Sequence, residues 1–134
     1  MYTLPELDKS ETKKLSMNFF KKELDRIENI AGSSLGVSLN FTNMKHHSNT
    51  NVTEEVASQR MDARELLKYI WASINELSEQ ERDVILMRYI KRFMWAKISK
   101  ELHCSEVRGH EILNKALINF AEKTNARLGL AVYR

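Results

Sequence analysis

The feature that most constrains this chain is the stretch Trp95–Phe120, which reads WAKISKELHCSEVRGHEILNKALINF. Ile98 and Leu102 mark a short helical period, His103-Cys104-Ser105 interrupts it, and a second period starts at once at Glu106. Two helices with so short a joint cross at an angle. The spacing predicts a helix over 96–102 and a longer one from Glu106 to about Thr124, capped by Ser105. In the longer one, Ile112, Leu113, Ala116, Leu117, Phe120 and Ala121 recur at i, i+3, i+4 and define one buried stripe. Carried backward, the stripe reaches Gly109, where a missing side chain lets the preceding helix come close, at a helix-propensity cost of about 1 kcal/mol relative to Ala.

The other face of the longer helix holds Glu106, Val107, Arg108, His110, Glu111, Asn114 and Lys115, side chains that a core cannot use. In a helix-turn-helix this N-terminal end enters the major groove of DNA, and Arg, His, Glu and Asn side chains can all bond base edges. On the shorter helix Lys97 and Lys100 face away from Ile98 and Leu102, as phosphate contacts would. Ser105, at a helix N-terminus, also suits a phosphate oxygen. The expected DNA-binding set is therefore Lys97, Lys100, Ser105, Glu106, Val107, Arg108, His110, Glu111, Asn114 and Lys115. A helical hairpin packed for stability alone is the plainer alternative. Two features weigh against it: the varied polar turns of the second helix, and the distribution of charge. Residues 79–134 hold 11 basic and 7 acidic side chains, so the net +3 of the chain is concentrated beside this motif. A mild basic excess fits an anionic partner such as double-stranded DNA.

Upstream, the pattern is also helical. Phe20, Leu24, Ile27 and Ala31 recur at helical spacing, predicting a helix over 11–31 that starts near Ser10 and stops at Gly32. Residues 32–52 are rich in Ser, Asn, Thr and Gly and read as a linker, with a short alternation at Leu35, Val37, Leu39 and Phe41. Thr53 caps the next helix, with Glu54 and Glu55 in its first turn and Val56, Met61, Leu66, Leu67, Ile70 and Ile74 as its apolar stripe; a break near 60–62 is compatible with the pattern. Ser78 and Glu81 then form a capping box ahead of Val84, Ile85, Met87 and Tyr89. With one Pro and four Gly, the expectation is an all-α chain of four or five helices. Its parts are an N-terminal helical segment (1–31), a linker (32–52) and a helix-turn-helix domain (53–134).

LSEQERDVILMRYI followed by WAKISKELHCSEVRGHEILNKAL resembles region 4 of bacterial sigma-70-type factors, through Leu77, Arg82, Val84, Arg88, Tyr89, Ile98, Leu102, Ser105, Ala116 and Leu117. His103 stands where that turn commonly carries Gly. The chain is more closely similar to the ArpU family of phage transcriptional regulators, which tend to end the recognition helix in Ala-Leu-x-x-Phe-Ala, here Ala116, Leu117, Phe120 and Ala121. They also open with a Leu-Pro segment and a Lys- and Phe-rich helix, here LPELDKSETKKLSMNFFKK. The resemblance implies an activator of late phage genes, such as packaging or lysis operons, working in the bacterial host cytoplasm. Two alternatives stay open: a terminase small subunit that binds DNA for packaging, and a sigma-like module that docks on RNA polymerase. A homo-oligomer through the 11–31 helix is compatible with all three.

Other chemistry finds little support. The single Cys104 allows no internal disulfide and suits a reducing interior; it reads as a small apolar filler of the turn. His103, Cys104 and His110, with His46-His47, lack the paired spacing of a zinc site, so no metal and no cofactor are expected. No phosphate loop or nucleophile motif is present, which argues against an enzyme. No apolar run approaches a membrane span, and no signal peptide is evident at the N-terminus. Tyr89, Phe93, Trp71 and Trp95 read as core aromatics rather than base-stacking platforms.

Overall fold

The computed structural model describes residues 3–35 and 53–134. The described residues are all-α. They form α1 (Lys9–Asn18), α2 (Leu24–Ala31), α3 (Glu54–Asn75), α4 (Glu79–Ile85), α5 (Trp95–Leu102) and α6 (Glu106–Leu128). Most of the 32–52 linker, with its Val37–Phe41 alternation and His46-His47, lies outside the described residues.

Helix ends follow the local signals. Thr53 and Ser105 accept from the amides of Val56 and Arg108, at 3.3 and 3.1 Å. Ser78 and Glu81 complete their capping box. At Gly32 the chain turns left-handed (φ 68°), and the amides of Gly32 and Ser33 return to the carbonyls of Asn29 and Glu28, a Schellman ending. The first helix starts earlier than expected: its cap is Asp8, whose carboxylate accepts from the Glu11 amide at 3.1 Å, and not Ser10. α3 runs unbroken through 60–62.

α1 and α2 are one continuous run joined by a π turn, Phe19–Glu23. The widened turn brings both Phe19 and Phe20 inward, where the periodicity had predicted Phe20 alone. They form an aromatic nucleus with Phe120 of α6 and Tyr89: Phe20 lies 4.8 Å from Phe120 and stacks on Tyr89 at 5.1 Å, and Phe19 lies 5.8 Å from Phe120. A second π turn, Leu86–Ile90, ends α4. The expected stripe on α6 is buried along its whole length. On α3 Leu67, Ile70 and Ile74 of the expected stripe are buried and Leu66 is half-buried, but Val56 and Met61 are exposed; Ala63, outside that stripe, is buried in the place of Met61.

Buried Ser73 and Thr124 donate to the carbonyls of Tyr69 and Phe120 one turn back, at 2.8 and 2.7 Å, while other buried polar groups find distant partners. Ser16, fully buried, donates to the Leu117 carbonyl at 2.8 Å, and Thr12 accepts from the Val132 amide at 3.0 Å. Around Thr12 the two terminal segments pair antiparallel. Leu7 bridges Tyr133, the Asp8 amide donates to Val132 O at 2.7 Å, and the Arg134 amide donates to Glu6 O at 2.8 Å. α1 is thus fixed along α6 of its own chain. Glu81 is also buried; it accepts from the Ser78 hydroxyl at 2.7 Å and from the Asn119 side-chain amide, tying the start of α4 to α6.

Candidate nucleic-acid interface

α5 and α6 meet through the turn His103-Cys104-Ser105. The amides of His103 and Cys104 return to the carbonyls of Lys100 and Ser99, again a Schellman ending, but with His103 at the left-handed position (φ 53°) instead of Gly. Cys104 is half-buried against the core, not sealed in it. Ile98 is fully buried and Leu102 half-buried, which pins α5 to the body and turns Lys97 and Lys100 outward.

Gly109 is the contact point of the two helices. A Cβ there would lie 3.1 Å from Cζ3 of Trp95, closer than side chains normally approach, so the indole occupies the space that a side chain at 109 would need. Trp95 then extends under the neighbouring residue: its ring stacks on the His110 imidazole at 3.8 Å with 30° between planes. The Arg88 guanidinium lies 5.3 Å from the indole centroid and donates to the Phe93 carbonyl at 3.2 Å. Trp95 was expected in the core, but it is half-buried and supports the outward face of α6. In the sequence Arg88 stands in a cationic run with Lys91 and Arg92, and the structure sets it against Trp95.

Above Gly109, Ile112 and Leu113, all buried, the first turns of α6 face solvent. Glu106, Val107, Arg108, His110, Glu111 and Lys115 are exposed, and Asn114 is half-buried. Val107 keeps 71% of its surface accessible, a large apolar side chain with no cover. Arg108 donates to Glu111 at 3.1 Å, with more than half of each side chain exposed. Such a pair contributes little to stability. It holds the guanidinium extended along the helix face, and either partner is free to exchange for a base edge. Ser105 stays exposed while its hydroxyl caps α6. All ten expected residues therefore lie on α5, the turn and the first three turns of α6. Lys97 also lies 4.0 Å over the Phe93 ring.

Residues 67–108 match the family model described as Sigma-70, region 4. The matched stretch runs from the middle of α3 to the first turn of α6, so it contains the α5–turn–α6 unit's joint and the Trp95 wedge. Over about a third of the chain, the sequence is therefore similar to a helix-turn-helix of the region 4 type. No curated protein and no solved structure matches the chain. Among the described residues, no group of three or more His, Cys, Asp and Glu side chains is placed to hold a metal ion, and no helix is long and apolar enough to cross a membrane.

Proposed function

We propose that the protein is a sequence-specific, DNA-binding regulator of transcription that reads the major groove with the first turns of α6. The observation that carries this reading is the division of α6. Gly109, Ile112 and Leu113 are buried, while Val107, Arg108, His110 and Glu111 are presented outward on a turn braced by Trp95. Arg108 and Glu111 supply a base-edge donor and acceptor, Val107 an apolar surface, and Lys97 and Lys100 the charges that meet phosphates. The resemblance of the Leu-Pro opening and the Ala-Leu-x-x-Phe-Ala ending to ArpU-type regulators supports late phage genes as the target. The region 4 match supports RNA polymerase as the partner through which such a regulator acts.

Selection of bound fragments from random duplex DNA tests this reading directly. A recovered sequence motif is expected, and Arg108→Ala is expected to lose about 1–3 kcal/mol of discrimination at one base pair of it. No motif, or an unchanged preference in the variant, would refute the assignment.

A further inference from the structure

Beyond the turns of α6, a group of cations converges on the segment that joins α4 to α5 and on the N-terminal helix. Phe93 is the centre. Lys97 lies 4.0 Å and Lys91 5.8 Å from its ring, and Arg88 donates to its carbonyl at 3.2 Å. Arg88 and Arg92 also line a polar cleft of about 290 Å³, together with Phe20, Lys21, Asp25 and Tyr89. Lys21 comes from the π turn between α1 and α2, outside the stretch that matches region 4. Asp25 in the cleft pairs with the exposed Arg92 at 3.6 Å and Glu28 also lies close enough to attract it, while Lys91 lines an adjoining cleft with Asp83 and Glu101, so among the described residues Lys21 and Arg88 are the cations of the cleft that no carboxylate pairs with there. Arg92 is held at φ 56°, a conformation in which a side chain is rarely kept.

This ledge is continuous with the candidate interface. Arg88 reaches the Trp95 ring, and Trp95 reaches His110 in the first turns of α6. Lys97 belongs to both groups. The contacts Arg88–Trp95–His110, of 5.3 and 3.8 Å, place the Arg88 end of the ledge within about one major-groove width of His110. A helix seated in the groove has a phosphate strand at each side at that distance.

We propose that Lys21 and Arg88, with Arg92 exchanging its carboxylate partner for phosphate, form a second phosphate-binding ledge, through which the N-terminal helix grips the DNA strand that flanks the recognition helix. This rests on the reading of α6 as a major-groove reader. It adds that the N-terminal segment is part of the nucleic-acid surface and not only a brace for the core. The π turn has a role in this: by taking Phe19 and Phe20 inward together, it leaves Lys21 at the mouth of the cleft.

The test is a salt series of binding to a labelled, mixed-sequence duplex of about 24 base pairs, with the full chain. Lys21 is exposed, so Lys21→Ala is expected to fold, as far-UV circular dichroism will show. Loss of one phosphate contact lowers the slope of log K against log salt by about 0.9. It weakens binding about eightfold at 0.1 M salt, with the difference closing toward 1 M. Lys123→Ala, which removes the same charge from the far end of α6, is expected to leave slope and affinity unchanged. If Lys21→Ala behaves as Lys123→Ala while the wild type binds with a clear salt slope, the ledge is refuted and the major-groove reading stands. If the wild type shows no salt-dependent binding, both fall.

Discussion

The Trp95–Gly109 contact makes a quantitative prediction about how the two helices hold their angle. Consider Gly109→Ala. On an exposed helix the change would gain about 1 kcal/mol, because Gly is that much poorer than Ala as a helix former. Here the new methyl would stand 3.1 Å from an indole carbon that is itself stacked on His110 and flanked by Arg88, so the ring must move. Overpacking of this kind costs about 1–3 kcal/mol. The two effects nearly cancel at best, giving a variant that is neutral to about 2 kcal/mol less stable. The same substitution in a Trp95→Ala background meets no ring and should recover its full gain of about 1 kcal/mol. The double-mutant cycle therefore predicts a coupling of about 1–3 kcal/mol, read from urea unfolding followed by far-UV circular dichroism. DNA affinity should fall with Gly109→Ala, since displacing Trp95 displaces His110. A Gly109→Ala variant stabilised equally in both backgrounds would refute the wedge.

Two further outcomes follow from backbone and charge. His103→Gly should stabilise the chain by about 0.5–1 kcal/mol in thermal or urea unfolding, since a left-handed residue other than Gly costs about 1–2 kcal/mol and part of that relief is offset by the freer unfolded chain; a destabilised variant would mean that the imidazole makes contacts worth more than the strain. The Glu11 amide, against some desolvation and with help from Arg134, holds the Asp8 carboxyl below its ordinary 3.8. A depressed carboxyl contributes stability above 3.8 that is lost as pH falls through its lower folded value, so wild-type Tm should drop over that acid range and Asp8→Asn should flatten the drop; parallel Tm profiles would exclude Asp8 from the acid response.

Much of this architecture is legible in the sequence because it is written locally. Ser78, Ser105, Thr53 and Gly32 act within one turn of themselves, and their roles survive in the structure. The α6 stripe is equally legible, since six apolar positions at helical spacing leave one face to bury. What the pattern hides is decided at long range. Thr12 and Ser16 look like surface residues until the Val132 amide and the Leu117 carbonyl supply their bonds. Phe19 enters the core only through a π turn that no spacing rule announces. Val56 and Met61 fit the α3 stripe but stay exposed, while Ala63, which the stripe omits, is buried. In the candidate interface, the residue types and the role of Gly109 were readable. The position of Trp95 under His110 was not, because a half-buried aromatic leaves the same trace in sequence as a core one.

The pairing of the terminal segments bears on how fast this protein can fold. Helical chains usually fold quickly because their contacts are near in sequence. Here the bond between Thr12 and Val132 spans 120 positions, and the buried bond from Ser16 to Leu117 spans 101. Bringing such remote segments together costs closure entropy before Phe19 and Phe20 can pack on Phe120. Folding should therefore be slower than the helix content alone would suggest, and removing the last few residues should accelerate the release of α1 more than it disturbs the helix-turn-helix.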